Sequence, residues 1–226
     1  MADSTTNQPF TGFWQTDLMD LFFSPTPAAD PFPTQDADLL RQFSFVPGLK
    51  ELLMVRQVHA LEHATVWVLS NTARTVKSRI SSQQVDNDSL SGMSTDQGFY
   101  LYGDVNAEEL NRAVQVALKR ITAGEWDLAV HPRCGTNLSV GMLVTAGLAL
   151  GASALLPRDP IGQLLGLGLA AATATQITPD LGNLAQRYIT TAMPFNLEID
   201  RITVIRDSIG RPAHFVQVKW VESGNG

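Results

Sequence analysis

The chain has 226 residues, enough to bury one sizeable core or two small ones, and its formal net charge of −6 leaves no basic stripe to neutralise nucleic-acid phosphates. Charged residues are 17% of the total and hydrophobic residues 44%, an ordinary average that hides a segregation: from Asn137 to Thr178 the only charges are the neighbours Arg158 and Asp159. Cys134 is the single cysteine, which excludes an intramolecular disulfide, and residues 1–8 lack the basic start and apolar run of a signal peptide.

Residues 1–46 mix Ser, Thr, Asp and Pro around an apolar island at Phe13, Trp14, Leu18, Leu21, Phe22 and Phe23. They read as a mostly disordered arm with one docking helix over Thr16–Phe23, a plausible element for binding a protein partner. Pro47-Gly48 punctuates the chain, and a helix is expected from about Leu49 to Ser70. At about 100° per residue, Arg56, His59, His63 and Ser70 share one stripe of it, opposite Leu53, Leu61, Ala64 and Val68. An ionisable stripe on an apolar helix needs partners, because unpaired buried charge is costly.

Ser81–Gln97 reads as a polar loop. Phe99–Val105 has strand composition, and Asn106 with Glu109 forms a capping box ahead of a helix whose apolar face is Leu110, Ala113, Val114, Ala117, Leu118 and Ile121. Gly124 suits the C-terminal cap, and Trp126–His131 reads as a second strand, so residues 47–136 combine the histidine helix with a strand–helix–strand unit.

Leu138–Leu156 and Ile161–Ile177 are apolar runs of roughly 28 and 25 Å as helices, separated by Pro157-Arg158-Asp159-Pro160. The first is long enough for a hydrocarbon core of about 30 Å and the second marginal. Gly147 and Gly151, and again Gly162 and Gly166, are spaced to let antiparallel helices approach. Residues 137–178 therefore read as a transmembrane helical hairpin in the lipid bilayer, against the competing reading of two soluble core helices. Every Lys and Arg except Arg158 lies off this hairpin, which points to a cytoplasmic soluble part. Residues 179–226 are expected to form a short helix and a β-hairpin from Leu197–Arg206 and Ala213–Val221. The fold class is thus an α+β membrane protein, with a two-helix transmembrane hairpin, a metal-site helix and a small strand–helix–strand and β-hairpin domain.

The chemistry concentrates in two short motifs. In His59-Ala60-Leu61-Glu62-His63 the histidines are four apart and stack on one helix face, so both imidazoles reach one divalent ion, while Glu62 is one position round, where a general base belongs. In His131-Pro132-Arg133-Cys134-Gly135-Thr136-Asn137 an imidazole and the thiol are three apart in a tight turn, a spacing at which both can ligate zinc. Thr136 and Asn137 suit N-caps of the helix from Leu138. The bland alternatives are core or interfacial histidines and a turn with a buried thiol.

The motif His-Ala-Leu-Glu-His-Ala with the downstream His-Pro-Arg-Cys-Gly-Thr-Asn resembles uncharacterised membrane-protein families that pair an H-x-x-E-H helix with an H-P-x-C-G-T/S turn. The YqhQ-like proteins are one branch, and a family common in cyanobacteria, sharing the Gly98–Gly103 segment, is a closer match. The resemblance covers roughly 55–156 and implies that His59, Glu62, His63, His131 and Cys134 form one site, without supplying an activity.

Two functions follow. In a membrane-anchored metal hydrolase, of metallopeptidase type, zinc is held by His59, His63 and one of His131 or Cys134, with Glu62 as base and Arg133 or the amides of the Cys134–Asn137 turn stabilising an oxyanion. In an assembly factor or adaptor, all four donors close a structural zinc site and Glu62 orients a histidine. The membrane is the plasma or the thylakoid membrane. A redox role for Cys134 is disfavoured, since the chain offers no resolving thiol.

Overall fold

The computed structural model describes residues 31–75, 89–157, 159–206, 210 and 212–222. The chain divides between Phe32 and Pro33, and the fold set out here is that of the second unit. The docking helix expected at Thr16–Phe23, the stretch 81–88 of the polar loop and most of the turn at 207–211 lie outside the described residues.

Among the described residues, five α-helices and one four-stranded antiparallel sheet make a mixed α+β architecture. The helices are α1 (Gln35–Gln42), α2 (Leu49–Thr75), α3 (Ala107–Thr122), α4 (Gly135–Leu155) and α5 (Pro160–Ala185). The strands β1 (Ser91–Thr95), β2 (Gly98–Tyr102), β3 (Leu197–Arg206) and β4 (Pro212–Trp220) are ordered β1-β2-β4-β3. The α1 helix falls inside the segment expected to be an arm, and Gln57 of α2 ties it down by donating to Asp36 at 2.6 Å.

The α2 helix is the spine. Its residues from Gln57 to Ser70 are buried on almost every side, apart from the half-buried His59. A helix so enclosed has to satisfy its polar side chains internally. The hydroxyls of Thr65 and Ser70 do so by bonding back to the carbonyls of Leu61 and Val66 at 2.7 and 2.8 Å. On one side α2 packs with α3 over the sheet, where Val58, Leu61, Leu110, Val114 and Ile121 meet Phe99, Leu101 and Val216 in one core. The α3 helix begins where its capping residues require: the Asn106 side chain accepts from the amides of Glu108 and Glu109 at 2.8 and 3.1 Å. Gly124, just past its end, adopts φ 110°, a conformation that suits a residue without Cβ.

Two expectations for this region are corrected. Ser91–Thr95, expected as polar loop, is a strand paired with β2 through a tight turn at Asp96-Gln97. Its Ser-Gly-Met-Ser-Thr composition lacks the apolar alternation that marks strands, and pairing with β2 supplies what propensity does not. Conversely Trp126–Ala129, expected as a strand, is a 3-10 turn that buries Leu128 and Ala129. A short apolar run carries no periodicity by which to choose between the two.

His214 of β4 pairs with Leu101 and Val204 and is 6% exposed. Burial lowers its pKa from the ordinary value, so the neutral ring is favoured in the fold. The unfolded chain takes up this proton first, so the stabilisation is fully present above the ordinary histidine range and is lost as pH falls from there toward the folded value. The expected outcome is that His214→Phe unfolds at a midpoint less sensitive to acidification between about pH 7 and pH 5 than wild type, in thermal melts. Equal slopes would refute it.

The α4 and α5 helices pack antiparallel. Asn137 faces Gly182, Gly141 faces Thr178, and Gly166 lies against Ala152 and Leu156. The Gly147–Gly151 pair expected to mediate this approach has open space around it, and Gly162 meets only its own capping segment at Asp159 and Pro157. Among the described residues, α4 is the single helix long and apolar enough to cross a membrane by length and composition. It buries none of its residues and exposes Leu138, Leu143, Leu150 and Leu155. The α5 helix is diluted by Gln163, Thr173, Thr175 and Gln176, so the two-span hairpin expected from the sequence is reduced to one candidate span within a helical pair. Among the described residues no separate α-helix follows 179, since α5 continues through Pro179 to Ala185 and ends in a π-helical turn, Gln186–Thr190.

Candidate metal centre

Three elements converge at the α2 stripe: the helix itself, the turn between Val130 and Gly135, and the π-helical turn that ends α5. One donor atom each from His59, His63 and Cys134 lies within 4.8 Å of the others. The imidazoles of His59 and His63 stack edge-on with centroids 4.3 Å apart, as their spacing on α2 dictates. Cys134 Sγ stands 3.2 Å from His59 Nε2.

The orientation of both rings is set from behind. His63 Nδ1 donates to the Ala129 carbonyl at 2.6 Å, and His59 Nδ1 donates to the Thr190 carbonyl at 3.0 Å. A backbone carbonyl can only accept, so each ring donates from Nδ1 and turns Nε2 toward the centre. The π-helical turn explains how a carbonyl from the end of α5 reaches α2, because one extra residue per turn displaces the backbone there.

Cys134 is the N-cap of α4, and its sulfur accepts from the Thr136 amide at 3.4 Å. The expected caps Thr136 and Asn137 are therefore inside the helix, which starts at Gly135. Burial alone would raise the thiol pKa, but hydrogen bonding to His63, the charge of that ring and the Thr136 contacts outweigh it and hold Cys134 below the ordinary thiol value. The helix N-terminus favours the thiolate in the same sense.

The turn is braced by amides. The His131 amide donates to Gln186 Oε1 at 2.8 Å, Gln186 Nε2 donates to Asn137 Oδ1 at 2.8 Å, and Asn137 Nδ2 donates to the Pro132 carbonyl at 2.8 Å. Gly182 admits this network, since a Cβ there would fall 2.2 Å from Asn137 Oδ1. The amides of Cys134, Thr136 and Asn137 are engaged within the turn.

His131 is buried beside the site but is not one of the three clustered donors. Its ring stacks near Trp67 and lies 5.6 Å from that of His63, while Trp67 Nε1 donates to the Val130 carbonyl at 3.0 Å. Arg133 lines the same cavity, with Nη2 3.5 Å from the Leu90 carbonyl. Arg56, the first residue of the polar stripe, donates to the carbonyls of Tyr188 and Thr191 and pins the end of α5 to α2.

Glu62 lines that cavity, which measures about 120 Å³. The carboxyl is 7% exposed and accepts from Ser94 Oγ at 2.7 Å. Burial raises its pKa above the ordinary carboxylate value, opposed by the Ser94 hydrogen bond and the nearby charge of His59. Gly92 makes the room: a Cβ there would stand 2.1 Å from Glu62 Oε1. Gly92, Ser94, Gln186 and Thr190 are the site residues that sequence reasoning did not find. Gly92 and Ser94 fell in what read as loop, and nothing local marks the other two.

The donor set fits a borderline-soft ion. Tetrahedral zinc with nitrogen and thiolate ligands sets donor atoms roughly 3.3–3.8 Å apart, and the three atoms here lie within 4.8 Å of one another. Two imidazoles fixed by backbone carbonyls and a thiol tuned toward thiolate match that ion better than calcium or magnesium, which take oxygen ligands.

Residues 54–202 match the family described as Domain of unknown function (DUF6391). An uncharacterised protein of Picosynechococcus sp. (strain ATCC 27264 / PCC 7002 / PR-6) is 51% identical over 211 residues, covering 93% of this chain and 97% of the relative. No solved structure matches. The matched span runs from the start of the histidine stripe on α2 through the metal-site turn and both long helices to β3, and the chain belongs to the DUF6391 family.

Proposed function

We propose that the protein is a membrane-anchored, zinc-dependent hydrolase, of metallopeptidase type, working at the membrane surface. The observation that carries this reading is the set of three donors, His59, His63 and Cys134, sharing one cavity with the buried carboxyl of Glu62. Three protein ligands leave a coordination position open, the arrangement of catalytic rather than structural zinc. Zinc in that set would supply Lewis acidity and lower the pKa of water. Glu62, held by Ser94, takes the proton from water and returns it to the leaving group. Arg133, at the cavity wall, stabilises the developing oxyanion.

The membrane part of the proposal follows from position. Cys134 caps α4, the candidate span, so the site sits at the head of that helix. In this reading α5, returning alongside, completes a helical hairpin in the bilayer, and the absence of Lys and Arg from it except Arg158 supports a sheet on the cytoplasmic side of the plasma or thylakoid membrane. Kinship with the YqhQ-like proteins belongs to the same proposal. One observation favours a second reading: His131 lines the same cavity. Rotated onto the ion, it would close a four-ligand structural site in an assembly factor, whose partner would dock on the N-terminal arm.

The test is hydrolysis of p-nitrophenyl acetate by detergent-purified protein. Zinc-loaded protein is expected to turn the ester over, to stop after chelation and to recover on adding zinc. Loaded protein without turnover would remove the hydrolase reading and leave the structural one.

A further inference from the structure

The two edges of the sheet differ in character. The β3 edge carries Glu198, Asp200, Arg201 and Arg206 and breaks register between Ile199 and Arg201. Charge and bulging are the means by which exposed edges are kept from pairing with other chains. The β1 edge, Ser91-Gly92-Met93-Ser94-Thr95, has no charge, no proline and no register break.

The pairing pattern assigns its outward groups. Val218 donates its amide to the Gln97 carbonyl at 3.0 Å, so along β2 the odd positions Phe99 and Leu101 bond to β4, while Gly98, Tyr100 and Tyr102 bond to β1. The partners of the latter, Thr95, Met93 and Ser91, turn their N–H and C=O inward. Those of Gly92 and Ser94 are left on the outer edge. Among the described residues no backbone hydrogen bond reaches them.

That edge borders the metal centre. Ser91 and Gly92 line the cavity with His59, His63 and Cys134, and the Ser94 side chain holds Glu62. We infer that the outer edge of β1 is a strand-addition site for extended polypeptide, which lays a substrate main chain along the cavity of His59, His63 and Cys134. The binding stands on the edge geometry, and only the fate of the bound chain rests on the hydrolase reading. Donors and acceptors two residues apart recognise any extended main chain, so the substrate class is unfolded polypeptide rather than a folded domain.

The test measures hydrogen–deuterium exchange over residues 90–95 of the full-length, zinc-loaded protein in detergent. The probe is reduced, carboxymethylated α-lactalbumin, a soluble unfolded protein, and p-nitrophenyl acetate turnover is followed in parallel. The expected result is about tenfold slower exchange at the amides of Gly92 and Ser94, with Met93 and Thr95, already bonded to β2, unchanged. That protection supports strand addition whether or not the ester is hydrolysed, and protection without ester turnover would fault the hydrolase reading alone. Ester turnover with unchanged exchange at Gly92 and Ser94 overturns strand addition and leaves the hydrolase, and absence of both signals overturns the two together.

Discussion

Alanine at His59 or Cys134 is expected to lower bound zinc from about one ion per chain to near zero, read by elemental mass spectrometry on detergent-purified protein, while His131→Ala keeps its ion. The reasoning is geometric. His59, His63 and Cys134 are the donors already within 4.8 Å of one another, and both histidines have Nδ1 committed to carbonyls that do not move independently of the fold. Removing one of three ligands leaves two, too few to hold the ion through purification. The loss is not a consequence of unfolding: Cys134→Ala removes a cap contact from α4, which costs about 1 kcal/mol, and far-UV circular dichroism should be unchanged. His131→Ala decides the ligand count, because loss of zinc there would make the site four-coordinate and favour the structural reading. Wild-type protein that takes no zinc even when supplied with it would remove both.

The second large effect is expected at Glu62. Glu62→Gln should retain zinc and slow ester hydrolysis by about 10²- to 10⁴-fold, the range that a positioned general base contributes. Gln keeps the length of the side chain and an oxygen to accept from Ser94 Oγ, so the packing against Gly92 persists while the proton acceptor is gone. Paired zinc and rate measurements separate the roles. Zinc kept with the rate lost makes Glu62 the base, whereas an unchanged rate with zinc kept excludes it from proton transfer.

Much of the helical part of this protein is legible in its residues. The α3 helix begins at the cap that Asn106 and Glu109 announce and buries the face that its spacing marks, apart from the half-buried Leu118. The hairpin of β3 and β4 lies within a residue of the expected spans. The sheet edge was not legible. Ser91–Thr95 has no alternating apolar pattern, and it is a strand because Tyr102, Tyr100 and Gly98 stand opposite it. Trp126–Ala129 erred in the opposite direction, since four apolar-rich residues fit a strand and a 3-10 turn equally. The glycine pairs on the long helices carried a spacing compatible with close approach, yet only Gly166 meets the partner helix, because rotation about each axis depends on the whole contact surface.

At the metal centre, sequence alone determines what helix geometry determines. Two histidines four apart on α2 must share one helix face, and Glu62 between them must lie one step round. It also determines that α4 carries no charged residue, so its exposed surface is apolar. Tertiary structure decides the rest. It brings Cys134 rather than His131 into the cluster, turns the carbonyls of Ala129 and Thr190 onto the two rings, and sets Gly92 and Ser94 against the carboxyl of Glu62. Periodicity along one helix is a local property, set by dihedral angles within a few residues. The third donor, the ring orientations and the clamp on Glu62 depend on segments 30 to more than 130 residues apart, whose meeting is settled by the burial of a common core.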